Sequence, residues 1–339
     1  MKMKHINIPV FVPHMGCPNK CVFCDQRAIS GVRLFDLEDA ARTVEEHLAT
    51  APPDAEVEIA FFGGSFTGID RGLMITLLDM AQGYVRDGKV TGIRMSTRPD
   101  YIDRKIVDIL GNYAVTAVEL GVQSMNGEVL RASRRGHTPE DSRRAFRLLK
   151  EAGIASVGQM MVGLPLSARE DEIRTAEEIC AAGASGSRIY PTVVFENTEL
   201  CEMMRAGEYE PLTVGEAVSR SADAHSVFAS HSVPCLRVSL YGGDTPGGGE
   251  AVAGPLHPAL GELVLGEYYR RLITEKLDEI TSNEKPSAVT VFVPKGDLSA
   301  AIGHKGANRV YFSSRYGNLR MIFLEKEDII RYNIILEIS

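Results

Sequence analysis

With 339 residues, 44% of them apolar and 24% charged, the chain has the make-up of a folded protein with one large domain and a small second one. A formal net charge of −8 excludes a uniformly basic nucleic-acid binder, and no apolar run reaches membrane-spanning length. Six cysteines, with Cys180, Cys201 and Cys235 scattered, exclude a disulfide framework and fit a reducing cytoplasm.

The first expected strand covers residues 6–12; interrupted by Pro9, it is too short for a signal peptide. It runs into Cys17, Cys21 and Cys24, spaced C-x3-C-x2-C within C-P-N-K-C-V-F-C. Three thiolates on one tight loop can hold three irons of a cubane iron–sulfur cluster and leave the fourth open to a small molecule. The same cysteines also suit a zinc site completed by His14 or Asp25, or stand as unrelated thiols.

Leu37, Ala40, Ala41, Val44 and Leu48 then recur at helical spacing. Strand-like runs follow at 56–62, 92–96, 114–120, 155–162 and 187–194, each trailed by a helical pattern. Thr138-Pro139-Glu140-Asp141 places a capping residue before a proline at the first helical position, and Gly153 closes that helix. Ser167 with Glu170, and Thr213 with Glu216, have capping-box spacing. Six strand–helix repeats predict an α/β fold, a parallel sheet curled into a partial (βα)6 TIM-like barrel, with 236–240 offering a further strand.

The glycine-rich stretch 242–249 reads as a linker or surface loop, since neither a lysine nor a helix start follows to make a phosphate cradle. A helix is expected over 258–280, a polar break at 282–286, and a small α+β unit beyond. The expected division is therefore 1–241, 242–284 and 285–339. The last segment has eight Lys and Arg against five Asp and Glu, an excess of three, so the first 284 residues carry −11.

Parallel βα folds gather their sites at the C-terminal ends of the strands. There the sequence puts the cysteines, Gly63-Gly64-Ser65, Ser96-Thr97-Arg98-Pro99, Gln123, the nearby Arg134, Arg135 and His137, Gly163-Leu164-Pro165 after Gln159, and Tyr190 after Arg188. Chance would scatter these signals; their gathering at the cysteine rim favours the open cluster.

The combination C-P-N-K-C-V-F-C, F-F-G-G-S-F-T-G-I, S-T-R-P-D-Y-I, V-E-L-G-V-Q-S-M, R-R-G-H-T, M-M-V-G-L-P and R-I-Y-P-T resembles the radical S-adenosylmethionine (SAM) superfamily over about residues 5–240. Within it the chain is most similar to the radical domain of Elongator catalytic subunits, and it is related to the coproporphyrinogen dehydrogenase type. The resemblance implies a 4Fe–4S cluster on Cys17, Cys21 and Cys24, with S-adenosylmethionine as the second cofactor. One electron from the cluster would cleave S-adenosylmethionine to methionine and a 5′-deoxyadenosyl radical, which takes a hydrogen atom from substrate. Phe23 would lie near the adenine, and Gly63 and Gly64 would meet the methionyl amine. Gln123 and Arg135 would hold ribose and carboxylate, with Ser65 and Thr97 at the same cofactor site. Gln159 stands where relatives often carry a carboxylate; an amide still hydrogen-bonds hydroxyls. Arg188 and Tyr190 are the catalytic candidates, either facing substrate or pairing with a carboxylate. Gln123 and Gln159 can alternatively satisfy buried backbone, and the sequence does not say whether Arg134 or Arg135 points inward.

Two features depart from the Elongator pattern. The first cysteine gap is short, and residues 241–339 are too few for the acetyltransferase domain and lack a pyrophosphate-cradling motif. That domain is expected to be absent. Instead D-L-S-A-A-I-G-H-K-G-A-N, between strands expected at 289–293 and 319–324, resembles the KH units of bacterial transcription antitermination factors. It implies RNA contacts by Gly303, His304, Lys305, Gly306 and Arg309, in a glycine turn that lets backbone approach phosphates. A small accessory cap with an ordinary helix–helix turn is the alternative.

The sequence therefore predicts a cytoplasmic radical SAM enzyme acting on RNA, tRNA first and a uridine in particular. It would be supplied with electrons by a donor such as a ferredoxin or flavodoxin. A radical enzyme acting on a small molecule such as a tetrapyrrole, and a non-catalytic RNA-binding protein with a structural metal, are the competing expectations. With no second cysteine cluster in view, an auxiliary iron–sulfur site and sulfur insertion are not expected.

Overall fold

The computed structural model describes residues 5–12, 17, 21–24, 35–239, 251–283, 286–317 and 319–338. His14, Asp25 and the glycine stretch 242–249 lie outside them. In chain order the elements are β1 (His5–Phe11), α1 (Leu37–Thr50), β2 (Glu56–Phe62), α2 (Arg71–Arg86), β3 (Gly92–Thr97), α3 (Arg104–Leu110), β4 (Val115–Gln123), α4 (Gly127–Ala132), α5 (Pro139–Glu151), β5 (Ala155–Val162), α6 (Arg169–Ala181), β6 (Gly186–Pro191), β7 (Val194–Phe195), α7 (Glu199–Arg205), α8 (Val214–Ser230), β8 (Cys235–Val238) and β9 (Ala251–Ala253). A long α9 (Leu260–Asn283) leads to β10 (Ala288–Pro294), α10 (Leu298–Ile302), α11 (Ala307–Tyr316), β11 (Arg320–Lys326) and β12 (Ile335–Ile338).

Seven strands form one parallel sheet in the order β1-β2-β3-β4-β5-β6-β8. The expected further strand joins as the seventh. The run expected at 187–194 divides instead: β6 stays in the sheet, while β7 leaves it and pairs antiparallel with β9. The sheet is curled. The Arg188 guanidinium of β6 lies 6.0 Å from the Phe62 ring of β2. Four strand spacings separate those strands, about 19 Å across a flat sheet at roughly 4.8 Å each. The α/β half-barrel expected from the strand–helix alternation is the observed fold.

The period-two alternation of the strands sorts their residues by face. Ile8, Val10, Ile59, Phe61, Ile93, Met95, Val118, Leu120, Met160 and Ile189 point outward under the helices and form the main apolar core. Glu58, Arg94, Glu119, Gln123, Gln159, Arg188 and Tyr190 occupy the other parity and line the lumen. Helix α5 begins as expected: Thr138 caps Asp141 N–H at 3.2 Å, and the Asp141 carboxylate takes Thr138 N–H at 2.8 Å. Thr213 and Glu216 form the same reciprocal box at α8. The start of α6 lies one residue later than the spacing suggests. Ala168 is the cap, Asp171 accepts its N–H at 3.0 Å, and the Ser167 hydroxyl turns to buried Glu172.

A second apolar core joins Tyr268, Tyr269, Ile273 and Leu277 of α9 to Val289, Val291, Val293, Phe312 and Phe323. Its sheet has the order β11-β10-β12, with β10 parallel to β11 and antiparallel to β12. Among the described residues no helix is long and apolar enough to cross a membrane.

Candidate active site

The C-terminal rim of the sheet brings the cysteine loop onto two arginines. Val22 N–H donates to Ser133 O at 3.2 Å, and Leu200 N–H donates to Val22 O at 2.8 Å, which pins the loop between the start of α7 and the turn after α4. Val22 packs on Val194, Leu200 and Cys201, and Phe23 lies against the same cluster. Arg135 points inward and is buried, donating from Nη2 to Gly121 O at 2.9 Å and from Nη1 to Cys21 Sγ at 3.6 Å. Arg134, held at φ 49°, turns outward to Glu199 at 2.7 Å. This turn settles which of the two arginines faces the site. Arg98 is buried as well, its Nη1 donating to Arg135 O at 2.6 Å and its Nε and Nη2 donating to Asp100 at 3.0 and 2.9 Å. Burial pushes the Cys17 thiol up, against the opposing pull of Arg135 and Arg98.

The neighbouring strand ends fasten to one another. Ser65 and Thr97 are buried, their hydroxyls 2.9 Å apart, and Thr67 joins Thr97 at 2.7 Å. Arg98 N–H donates to Ser65 Oγ at 3.0 Å. These hydroxyls bind each other and brace the glycine turn. Gly63 takes φ 102°, left-handed backbone suited to glycine, and a Cβ there would stand 3.4 Å from Phe11. Gln123 also has a positive φ, 65°, where β4 and β5 lose register, and Gln159 Nε2 donates to its Oε1 at 3.4 Å. A Cβ at Gly121 would stand 2.6 Å from Arg135 Nη2 and 2.9 Å from Gln123 Nε2. The absence of a side chain there lets both Arg135 and Gln123 come close to Gly121. His137, buried with a ring nitrogen 3.2 Å from Val122 O, is held neutral. Burial, Arg135 and Arg98 push its pKa down to about 3.

Deeper in the lumen a charged ladder crosses the strands. His5 Nε2 meets Glu58 at 2.5 Å, Arg94 donates to Glu58 at 3.2 Å, and Arg94 approaches Glu119 at 3.6 Å. Arg188 then donates to Glu119 at 2.8 Å and to the Tyr190 hydroxyl at 3.2 Å. Arg188 thus does pair with a carboxylate, and it does so inside the lumen. Asn7 Oδ1 and the Nε–H groups of Arg94 and Arg188 have no partner among the described residues. Glu58, Arg94 and Glu119 escaped the sequence reading. Their signal was available, since each is a charged residue at an inward parity of an otherwise apolar strand.

Gly303 and Gly306 bound the turn between α10 and α11. A Cβ at Gly303 would stand 2.9 Å from Asn308 Cγ, and Gly303 takes φ 80°. Lys305 is exposed at φ 53°, Arg309 is exposed, and His304 Nδ1 lies 3.0 Å from Glu262 of α9.

Among the described residues no three His, Cys, Asp or Glu side chains converge to metal-ligand spacing. The donor set still fits an anionic iron–sulfur group. Buried Arg135 has no carboxylate partner among the described residues and keeps an unpaired Nε–H. A buried cation of this kind calls for an anion beside it, and thiolate-held iron or a ligand carboxylate supplies one.

The radical SAM superfamily model matches residues 11–179, and the radical SAM C-terminal domain model matches 184–270. The chain belongs to the radical SAM superfamily. It is 29% identical over 253 residues to a tRNA uridine(34) acetyltransferase of Methanocaldococcus jannaschii, a match covering 62% of this chain and 47% of that protein. It is 38% identical over 126 residues to Elongator complex protein 3 of Danio rerio, covering 36% of this chain and 23% of that one. A solved Methanocaldococcus infernus Elp3 lacking its N-terminus superimposes with a TM-score of 0.62 at 24% identity, covering 82% of this chain and 64% of that structure. The chain thus spans about half the length of the acetyltransferase and a quarter of the Elongator protein. It is a radical SAM enzyme, of a superfamily that uses a 4Fe–4S cluster and S-adenosylmethionine.

Proposed function

We propose that this radical SAM enzyme is cytoplasmic and modifies RNA, tRNA in particular, at a uridine. The observation that carries this reading is the 253-residue likeness to a tRNA uridine(34) acetyltransferase across the radical domain. The exposed cations of the Gly303–Gly306 turn, in a segment with the KH-like order strand, helix, glycine turn, helix, strand, support it.

In this reading Cys17, Cys21 and Cys24 hold the cluster. When bound, the cluster supplies the electron that opens S-adenosylmethionine to a hydrogen-abstracting 5′-deoxyadenosyl radical. Gly63 and Gly64 offer backbone to the methionyl amine, with Ser65 and Thr97 holding that turn in place. Arg135 neutralises the methionyl carboxylate. Gln123 and Gln159 take the ribose hydroxyls, and Phe23 shields the adenine. Arg188 and Tyr190 face the substrate: the tyrosine oxygen accepts from Arg188, which leaves its own proton free to donate to a base carbonyl. Gly303, His304, Lys305, Gly306 and Arg309 receive the RNA backbone, with His304 oriented by Glu262. A low-potential donor of the ferredoxin or flavodoxin kind supplies the electrons.

Lys305→Glu with Arg309→Glu tests the RNA contact. Filter binding to bulk tRNA will weaken, and the slope of log affinity against log salt will fall by about one for each lost phosphate contact. Unchanged affinity and slope would remove the turn from the interface.

A further inference from the structure

The Gly303–Gly306 turn is fastened to the start of α9. Asn308 Nδ2 donates to Gly266 O at 2.8 Å and to Ala301 O at 3.0 Å, which joins the turn to that helix. A Cβ at Gly266 would stand 3.5 Å from Gly303 Cα. His304 reaches further forward. Its Nδ1 lies 3.0 Å from Glu262, and its ring meets the His257 ring edge-on at 5.7 Å between centroids. His257 stands just before α9, where its Nδ1 accepts Ala259 N–H at 3.1 Å.

Upstream of His257 the chain runs against the barrel rim. Gly254 takes φ 104°, and a Cβ there would stand 2.9 Å from Thr192 O. Thr192 follows β6, the strand that carries Arg188 and Tyr190, and its N–H donates to Val162 O at 2.8 Å. β9 pairs with β7, and Ala253 packs on the apolar cluster of Val22, Val194, Leu200 and Cys201. Val22 lies between Cys21 and Cys24. One short segment, 251–257, therefore touches the anchor of the cysteine loop at one end and the glycine turn at the other.

We propose that His257 is a positioning residue that couples RNA seated on the glycine turn to the anchoring of Val22 in the cysteine loop. The inference rests on the RNA reading above. With Nδ1 on Glu262, His304 offers Nε2 to a phosphate, and its ring is then held from both sides. A held His304 ring restrains the His257 ring packed against it, and His257 fixes the lead-in to α9 through Ala259. The restraint passes along 251–257 to the β7–β9 pair and the cluster around Val22. No displacement is needed, because binding that orders one element lowers the cost of ordering the next. The cysteine loop is then best anchored when RNA occupies the turn, which times S-adenosylmethionine cleavage to the presence of substrate. A merely structural His257 would anchor Val22 equally with and without RNA.

Amide hydrogen exchange of the full chain, read by mass spectrometry without RNA and at saturation with bulk tRNA, tests the coupling. Saturation is set by filter binding for each protein. The peptides to follow contain Val22 N–H, bonded to Ser133 O, and Leu200 N–H, bonded to Val22 O. In the wild-type chain tRNA will slow their exchange by about threefold or more. His257→Asn keeps an acceptor for Ala259 N–H but removes the ring, and tRNA will leave its exchange at these amides unchanged. His257→Ser, a second acceptor without a ring, takes its place should His257→Asn not fold. Equal slowing in the ringless variant, or no slowing in wild-type protein with tRNA bound, overturns the inference. Failure of the wild-type chain to bind bulk tRNA defeats the RNA reading itself, whereas tRNA-bound protein with unchanged exchange at Val22 and Leu200 defeats only this inference.

Discussion

Alanine at Cys17, Cys21 or Cys24 will abolish iron incorporation and reduce 5′-deoxyadenosine formation from S-adenosylmethionine by at least about 100-fold. Changes to partners behind a metal ligand already cost 10–100-fold in affinity or activity, and loss of a ligand exceeds that. The fold will survive, because the loop sits on the rim and the main core draws on the outward face of the sheet and its helices. Cys180→Ala is the matched control. This half-buried thiol lies on α6, and burial and Glu177 push its pKa up to about 11, which makes it a poor thiolate. Iron content and circular dichroism of the four variants, measured together, separate a lost cluster from a lost fold.

Glu119→Gln will cost about 3–5 kcal/mol in urea unfolding and will also lower turnover. Glu119 is 3% exposed and stands between Arg94 and Arg188. Neutralising it keeps the shape but leaves two largely buried guanidinium groups, each with 13% of its side chain exposed, with Glu58 as their only carboxylate in the ladder, and stranding a buried charge carries a cost of that size. Arg188 then loses its 2.8 Å anchor, and Tyr190 loses the donor that fixes its hydroxyl. A double variant, Glu119→Gln with Arg188→Met, will recover part of the stability and none of the turnover. Additive losses in the double variant would show that the two residues do not act as a pair.

The rim was legible in the sequence because a parallel βα repeat sends every strand toward the same end, so cysteines, glycines and amides after successive strands must gather. The inward parity of the ladder residues was legible too, but which of them pair across the lumen was not, because the longer contacts depend on curl. Glu119 reaches Arg188 two strands away and Arg188 reaches Phe62 four strands away, contacts that no spacing within one strand reveals. Burial redirected Ser65 and Thr97. At zero and 3% exposure their hydroxyls need partners, and the nearest are each other. The choice between Arg134 and Arg135 likewise turned on one left-handed residue.

The proposed action on RNA is decided by reconstituting the protein with iron and sulfide, reducing it, and measuring 5′-deoxyadenosine formed from S-adenosylmethionine with and without bulk tRNA. A several-fold rise with tRNA, accompanied by an altered uridine in the recovered nucleosides, is the expected result. Cleavage by iron-loaded protein that is indifferent to tRNA would overturn the proposal.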